Sequence, residues 1–161
     1  MAPRIVLPPA GSIGDPSVGG AVLRVYNSAG LASDDVLVEL LASGWSRVGG
    51  SALKGWRFKD RTGPIKSVVV KQDQITIKSG KGGWSYTLDE QRQGSVAVRL
   101  RLGNTDGWCA NVPALAKDGP QPTAKSDHPG LFKGEHKAPT PETCPAEPGG
   151  GRGSASGAFL D

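Results

Sequence analysis

The chain has 161 residues, of which 24 are glycine and 13 proline, and only 37% are hydrophobic. That length allows one cored domain with little left for a second, and the apolar content suits a thin β core with generous loops better than a thick α/β core. The 19 basic and 15 acidic residues leave a net charge of +4. This modest surplus is dispersed through the strands, so it reads as solvated sheet faces and edge protection, not as a nucleic-acid footprint.

No stretch reaches the roughly 20 apolar residues of a membrane-spanning helix. The first residues, Met1 to Pro9, also lack the apolar run of a signal peptide. Either a leader has been removed, or the chain is a piece of a larger protein.

In chain order, residues 1–19 read as an extended lead-in, because Pro8, Pro9 and Pro16 fix the backbone and remove donors. Such a segment can lie along a sheet edge but not inside a sheet. Ala21 to Asn27 is the first strand and Asp35 to Leu41 the second, with a turn at Asn27-Ser28-Ala29-Gly30. Trp45 to Val48 forms a short strand. Lys54 to Asp60 alternates cleanly, with Trp56 and Phe58 inward and Arg57 and Lys59 outward. Ile65 to Lys71 and Gln74 to Lys78 follow as a hairpin turning at Gln72-Asp73. Trp84 to Leu88 alternates again. The clearest run is Gly94 to Gly103: Val96, Val98, Leu100 and Leu102 share one parity, while Ser95, Ala97, Arg99 and Arg101 share the other. One row is expected to be buried and the other wet. Gly107 to Val112 adds a strand, and Leu131 to Gly134 a weak last one. The run from Gly149 to Gly157 is low in complexity and reads as a flexible tail.

Two cysteines, Cys109 and Cys144, are present. Their even count in a glycine-rich β chain favours a disulfide, and with it an oxidising compartment, over two free buried thiols. With His128 and His136 they could nominally form a Cys2His2 metal site, but no close C-x2-C or H-x3-H pair supports one. No G-x-S-x-G elbow marks a nucleophile. Gly80-Lys81-Gly82-Gly83 is a hairpin turn, since the spacing and following helix of a phosphate-binding loop are missing. The acid pairs Asp34-Asp35 and Asp89-Glu90 sit at strand boundaries without the spacing of a calcium loop, and read as solvated turn carboxylates. Of four tryptophans, Trp56 and Trp84 share strand parity with Phe58, Tyr86 and Leu88 and are assigned to the core. Trp45 and Trp108 flank turns and are the candidate surface rings, able to stack on a sugar face.

Several phrases in order carry a resemblance: Gly20 to Gly30, Gly44-Trp45, Gly55 to Asp60, Thr87 to Glu90, Gly94-Ser95-Val96, Trp108-Cys109-Ala110, and Ala138-Pro139 through Cys144-Pro145. Together they resemble a glycine-rich, cysteine-containing β-module that recurs in large exported bacterial proteins of unassigned function. The resemblance covers residues 5–146. It implies a second cysteine pair near Ile65 and Ser79, absent here, and it supplies no catalytic residues.

The expected fold is therefore all-β: an antiparallel β-sandwich of about 8–9 short strands with extended proline-rich ends. Its parts are a lead-in (1–19), one sandwich domain with its C-terminal segment tied back (20–146), and the tail (147–161). The expected function is a non-catalytic extracellular or cell-surface scaffold, without cofactor or metal, whose partners are other protein domains or subunits or polysaccharide, and not nucleic acid or a membrane span. Two alternatives stand beside it: a carbohydrate-binding module using Trp45 and Trp108, and a filament subunit assembled by strand addition.

Overall fold

The computed structural model describes residues 5–31, 33–116, 127–134 and 140–148. The expectations placed on His136, on Ala138-Pro139 and on the glycine-rich tail lie outside them. The fold is all-β, built of antiparallel sheets of short strands with one short α-helical turn. In chain order the elements are α1 (Pro16–Gly19), β1 (Ala21–Asn27), β2 (Asp35–Leu40), β3 (Trp45–Val48), β4 (Gly55–Lys59), β5 (Ile65–Lys71), β6 (Ile75–Ser79), β7 (Ser95–Leu102), β8 (Trp108–Pro113), β9 (Asp127–His128) and β10 (Leu131–Phe132). One four-stranded sheet has the order β2-β1-β7-β8, a second has β3-β4-β5-β6, and β9 pairs with β10. Among the described residues no helix is long and apolar enough to cross a membrane.

The described residues fall into two compact units. The first comprises Met1–Leu23, Leu37–Trp84 and Leu100–Gly107, and contains the whole β3-β4-β5-β6 sheet. Its register follows the side-chain period: Trp45 faces Phe58 across β3/β4, and Trp56 and Phe58 face Val70 and Val68 across β4/β5. Trp56, Phe58, Val68 and Val70 form one row and are all buried, while Arg57 and Lys59 point to solvent as expected. Ile65 is also buried although its parity is opposite to that of Val68 and Val70. The reason is a bulge: Ile65 faces Ser79 and Ser67 faces Lys78, so β5 carries one extra residue against β6. The extra residue resets which side chains point inward.

Two capping interactions attach the lead-in to this unit. The buried Trp56 indole Nε1–H donates to the Pro8 carbonyl at 3.0 Å, and the Ile5 amide donates to the Gln72 carbonyl at 2.9 Å. The lead-in joins no sheet and is not extended throughout, since the chain bends and turns over residues 10–14 before its helical turn. Its helical turn α1 is organised by Asp15, which is 4% exposed. The Asp15 carboxylate accepts from the Gly11 amide (2.6 Å) and from both the amide (2.8 Å) and the hydroxyl (2.6 Å) of Ser17. A proline at the first helical position completes the cap. Leu23, Leu40, Leu100 and Leu102 add further buried apolar side chains to the first unit.

The second unit comprises the described residues of Arg24–Val36, Ser85–Arg99 and Trp108–Pro148. Here the structure corrects the reading of β7 in its first half, whereas Leu100 and Leu102 further along the strand are buried as expected. The residue of Ser95–Arg99 that is fully buried is Ala97, from the row expected to be wet, while Val96 and Val98 are only half-buried. That row is covered by the chain's own C-terminal segment. The Tyr26 hydroxyl donates to the Pro145 carbonyl at 2.6 Å, and Arg24 and Arg99 both bond Glu147. Two further expectations are overturned. Trp84 to Leu88 forms no strand, and Trp84, assigned to the core, is 36% exposed.

Burial raises the Asp15 carboxyl, but the bonds from Gly11 and Ser17 outweigh it and hold the group below its ordinary value of 3.8. A depressed carboxyl contributes stability that is present above the unfolded value and lost as pH falls through the folded one. Asp15→Ala is therefore expected to cost about 1–2 kcal/mol at neutral pH. In urea melts the gap from wild type should narrow as pH is lowered below about 4; a gap independent of pH would refute the role of the charge.

Candidate functional site

Trp45 and Trp108 were the candidate ligand rings, and the structure treats them differently. Trp45 is 6% exposed. Its ring lies 5.4 Å from that of Phe58 at an interplanar angle of 50°, and its indole N–H donates to the Leu40 carbonyl at 3.2 Å. It follows a 3-10 turn at Ala42–Gly44, and the strand begun at Trp45 rotates the ring onto the Phe58 side of the sheet. A ring so enclosed offers no face to a sugar, which corrects the expectation that it lies on the surface. Trp108, at the start of β8, is half-buried.

Cys109 and Cys144 are disulfide-bonded, with sulfurs 2.14 Å apart and Cα atoms 5.7 Å apart. The bond fastens the C-terminal segment to β8, an edge strand of its sheet. Non-covalent contacts extend the attachment. Glu147 lies between two arginines, one oxygen accepting from Arg99 at 3.0 Å and the other from Arg24. Arg24 also forks onto both carboxylate oxygens of Asp35 at 2.7 Å, donates to the Pro148 carbonyl, and lies 5.8 Å from the Tyr26 ring centre. The four charged side chains of this cluster, Arg24, Asp35, Arg99 and Glu147, are largely covered, at 16–25% side-chain exposure. In such partial burial the forked geometry is worth more than a surface pair. The Asp35 and Glu147 carboxylates raise the already high Arg24 value further, the Asp35 hydrogen bond foremost.

A buried polar network occupies the middle of the second unit. Gln93, 2% exposed, accepts from the Asn27 side-chain amide at its backbone carbonyl (2.7 Å) and side-chain oxygen (3.1 Å). That side-chain oxygen also accepts from the Tyr86 hydroxyl at 2.8 Å, and the Gln93 amide donates to Glu90 at 2.9 Å. Asp127 receives the backbone N–H groups of Gln93 (2.6 Å) and Gly94 (2.7 Å), one on each oxygen. Gly94 has φ +74°, and a Cβ there would lie 2.8 Å from Ala29 and 2.9 Å from Leu31. Glycine is therefore required on two counts, conformation and space. These groups close a loop end whose amides have left the sheet ladder.

The two acid pairs, distant in sequence, partly converge. Ligand oxygens of Asp34, Asp89 and Glu90 lie within 4.8 Å of one another, an arrangement that can offer oxygen donors to a hard cation. Each carboxylate also has an oxygen already engaged: Asp34 accepts from the Thr87 amide and hydroxyl, Asp89 from the same hydroxyl, and Glu90 from Gln93. The second Asp34 oxygen is buried with no hydrogen-bond partner among the described residues. Asp35, the other half of its pair, turns instead to Arg24. His128 is on β9, its Nδ1 beside the Pro129 carbonyl at 2.8 Å, and both cysteine sulfurs are consumed in the disulfide.

Sequence reasoning missed Gln93, Asp127 and Glu147. None lies in an alternating run, and each acts on backbone or charge brought from far along the chain. No family model, characterised protein or solved structure matches this chain.

Glu147→Gln is expected to lower stability by about 1–3 kcal/mol and to expose the 140–148 segment to protease, read by urea melts and limited proteolysis; unchanged protection would show that the segment is held without the Glu147 charge. The Tyr86 phenol is pushed up to about 12, first by burial and then by the charges of Asp34 and Glu90. Its raised value contributes stability present below pH 10 and lost as pH rises toward about 12. Tyr86→Phe should delete the late step from an absorbance titration of phenolate; persistence of that step would refute the assignment.

Proposed function

We propose that this chain is a non-catalytic, exported scaffold module that presents a rigid β surface to partners outside the cytoplasm. The observation that carries the reading is the disulfide between Cys109 and Cys144, because such crosslinks form and persist in oxidising compartments. The use of the polar side chains supports it. Asp15, Asp127 and Glu147, carboxylates that are buried or largely covered, are engaged in holding backbone amides or arginines. The resemblance to exported bacterial β-modules points the same way. The mechanism is presentation: each unit, stiffened by hydrogen-bonded ladders and side-chain caps, holds its own exposed faces in fixed geometry.

Fractionation of producing cells followed by thiol alkylation and mass spectrometry tests this. The expected result is chain outside the cytoplasmic membrane whose two cysteines resist alkylation until reduced. Cytoplasmic chain with two alkylated thiols would overturn the reading. In the oxidised protein, reduction or the double substitution Cys109→Ala/Cys144→Ala should cost about 3–4 kcal/mol on the chain-entropy model.

A further inference from the structure

The net positive charge of this chain is concentrated in the segment that carries one sheet. Between Ser46 and Lys81 the sequence holds nine lysines and arginines against two aspartates, a local +7 in a chain whose total is +4. The register of β4, β5 and β6 then sorts these residues by face. Lys59 faces Ser67 across β4/β5 and Ser67 faces Lys78 across β5/β6, so one row reads Lys59, Ser67, Lys78. The next row reads Arg57, Val69, Thr76, continued on β3 by Ser46. Beyond it Lys71 faces Gly55. All these residues lie on the side opposite Trp56, Phe58, Val68 and Val70, and Arg57, Lys59, Lys71 and Lys78 are exposed.

Among the described residues, no ion pair engages any of the four cations. The two aspartates of the region sit outside the strands. Asp60 is turned onto the Thr62 amide and hydroxyl, and Asp73 belongs to the β5/β6 turn. A shallow groove of about 250 Å³ runs over this face, with Arg57, Lys71 and Lys78 at its sides and Ser67, Val69 and Thr76 along it. Successive rows are about 7 Å apart along the strands, and Lys59 and Lys78, two strands apart, are about 10 Å apart at the backbone. The face therefore spaces its cations apart and sets short hydroxyl side chains between them.

We propose that this outer face of the β3-β4-β5-β6 sheet binds an acidic polysaccharide, its carboxylate groups meeting Arg57, Lys59, Lys71 and Lys78. The cations supply charge complementarity, and the planar Arg57 fork matches a carboxylate. Ser67, Thr76 and Gln74 supply donors and acceptors for sugar hydroxyls. Among the described residues the face carries no aromatic ring, because Trp56 and Phe58 of β4 are turned to the buried side. A nucleic acid would find phosphate contacts here but no platform on which to stack its bases. The choice of a polysaccharide also rests on the exported-scaffold reading.

The test uses the full oxidised chain and three probes: polygalacturonate, neutral dextran and single-stranded DNA. Polygalacturonate should bind with an affinity that falls as salt rises, and dextran should not bind. Lys71→Glu/Lys78→Glu should weaken polygalacturonate binding about 10-fold or more, with an unchanged far-ultraviolet spectrum and melting temperature. Arg61→Glu/Lys81→Glu makes the same net charge change in turns outside the face, and should weaken binding by no more than about 2-fold. Equal losses in both double variants would reduce the effect to net charge and overturn the site. Tighter binding of DNA than of polygalacturonate would overturn the choice of ligand. Absence of binding by chain with an intact disulfide would overturn this proposal and leave the scaffold reading standing, whereas free thiols in exported chain would remove that reading instead.

Discussion

A backbone amide or carbonyl that leaves a sheet ladder and stays away from water must find another partner. In a chain this rich in glycine and proline, with short strands, that requirement arises repeatedly. Side chains meet it. The Asp127 carboxylate takes the amides of Gln93 and Gly94, and Asp15 takes those of Gly11 and Ser17. Three aromatic side chains act in the opposite sense, donating to carbonyls: Trp56 to Pro8, Trp45 to Leu40 and Tyr26 to Pro145. Each ring therefore fills apolar volume, and Trp56 and Tyr26 also fix segments with no ladder of their own. Prolines, which donate nothing, sit at two of these three acceptors, so their carbonyls are the only backbone group left to satisfy.

Charge is divided by the same logic. In the second unit acidic groups are drawn into covered positions by amides and arginines, as at Asp127 and Glu147. The β3-β4-β5-β6 sheet keeps its cations outside, because its inner row is filled by Trp56, Phe58, Val68 and Val70. A residue between two such apolar neighbours on a strand must point to the other face. The polarity of that face is thus a consequence of core packing, while the sign of its charge is a choice the fold does not impose.

Alternation in the sequence made most of the strands legible, and β1 through β6, β7 and β8 all lie where period-2 runs end at turn residues. It failed where a pattern lacked a partner strand. Trp84 to Leu88 alternates as cleanly as β4, yet its polar groups are taken by side chains and loops: the Thr87 amide by Asp34, the Tyr86 hydroxyl by Gln93, and the Leu88 carbonyl by the Gly130 amide. Parity misled in two other ways. A bulge in β5 shifts Ile65 against Val68 and Val70. On β7 the row of Ala97 and Arg99 reads as wet because its cover comes from Pro145 to Pro148, far along the chain and itself without periodicity.

The cysteines told of the tie but not of its extent. Cys109 and Cys144 alone would leave the residues after the bond unrestrained, whereas Glu147, between Arg24 and Arg99, extends the attachment past the covalent link. Nothing local distinguishes that glutamate from a solvated one; its role depends on arginines at alternate positions of two neighbouring strands, which only the sheet order β1-β7 brings side by side. The charge of the β3-β4-β5-β6 sheet is the opposite case. Its excess of lysine and arginine is present in the linear sequence, yet averaged over the whole chain it looks like dispersion. Register is what separates a basic face from a scatter of basic residues, since a shift of one position would turn Arg57, Lys71 and Lys78 toward the core.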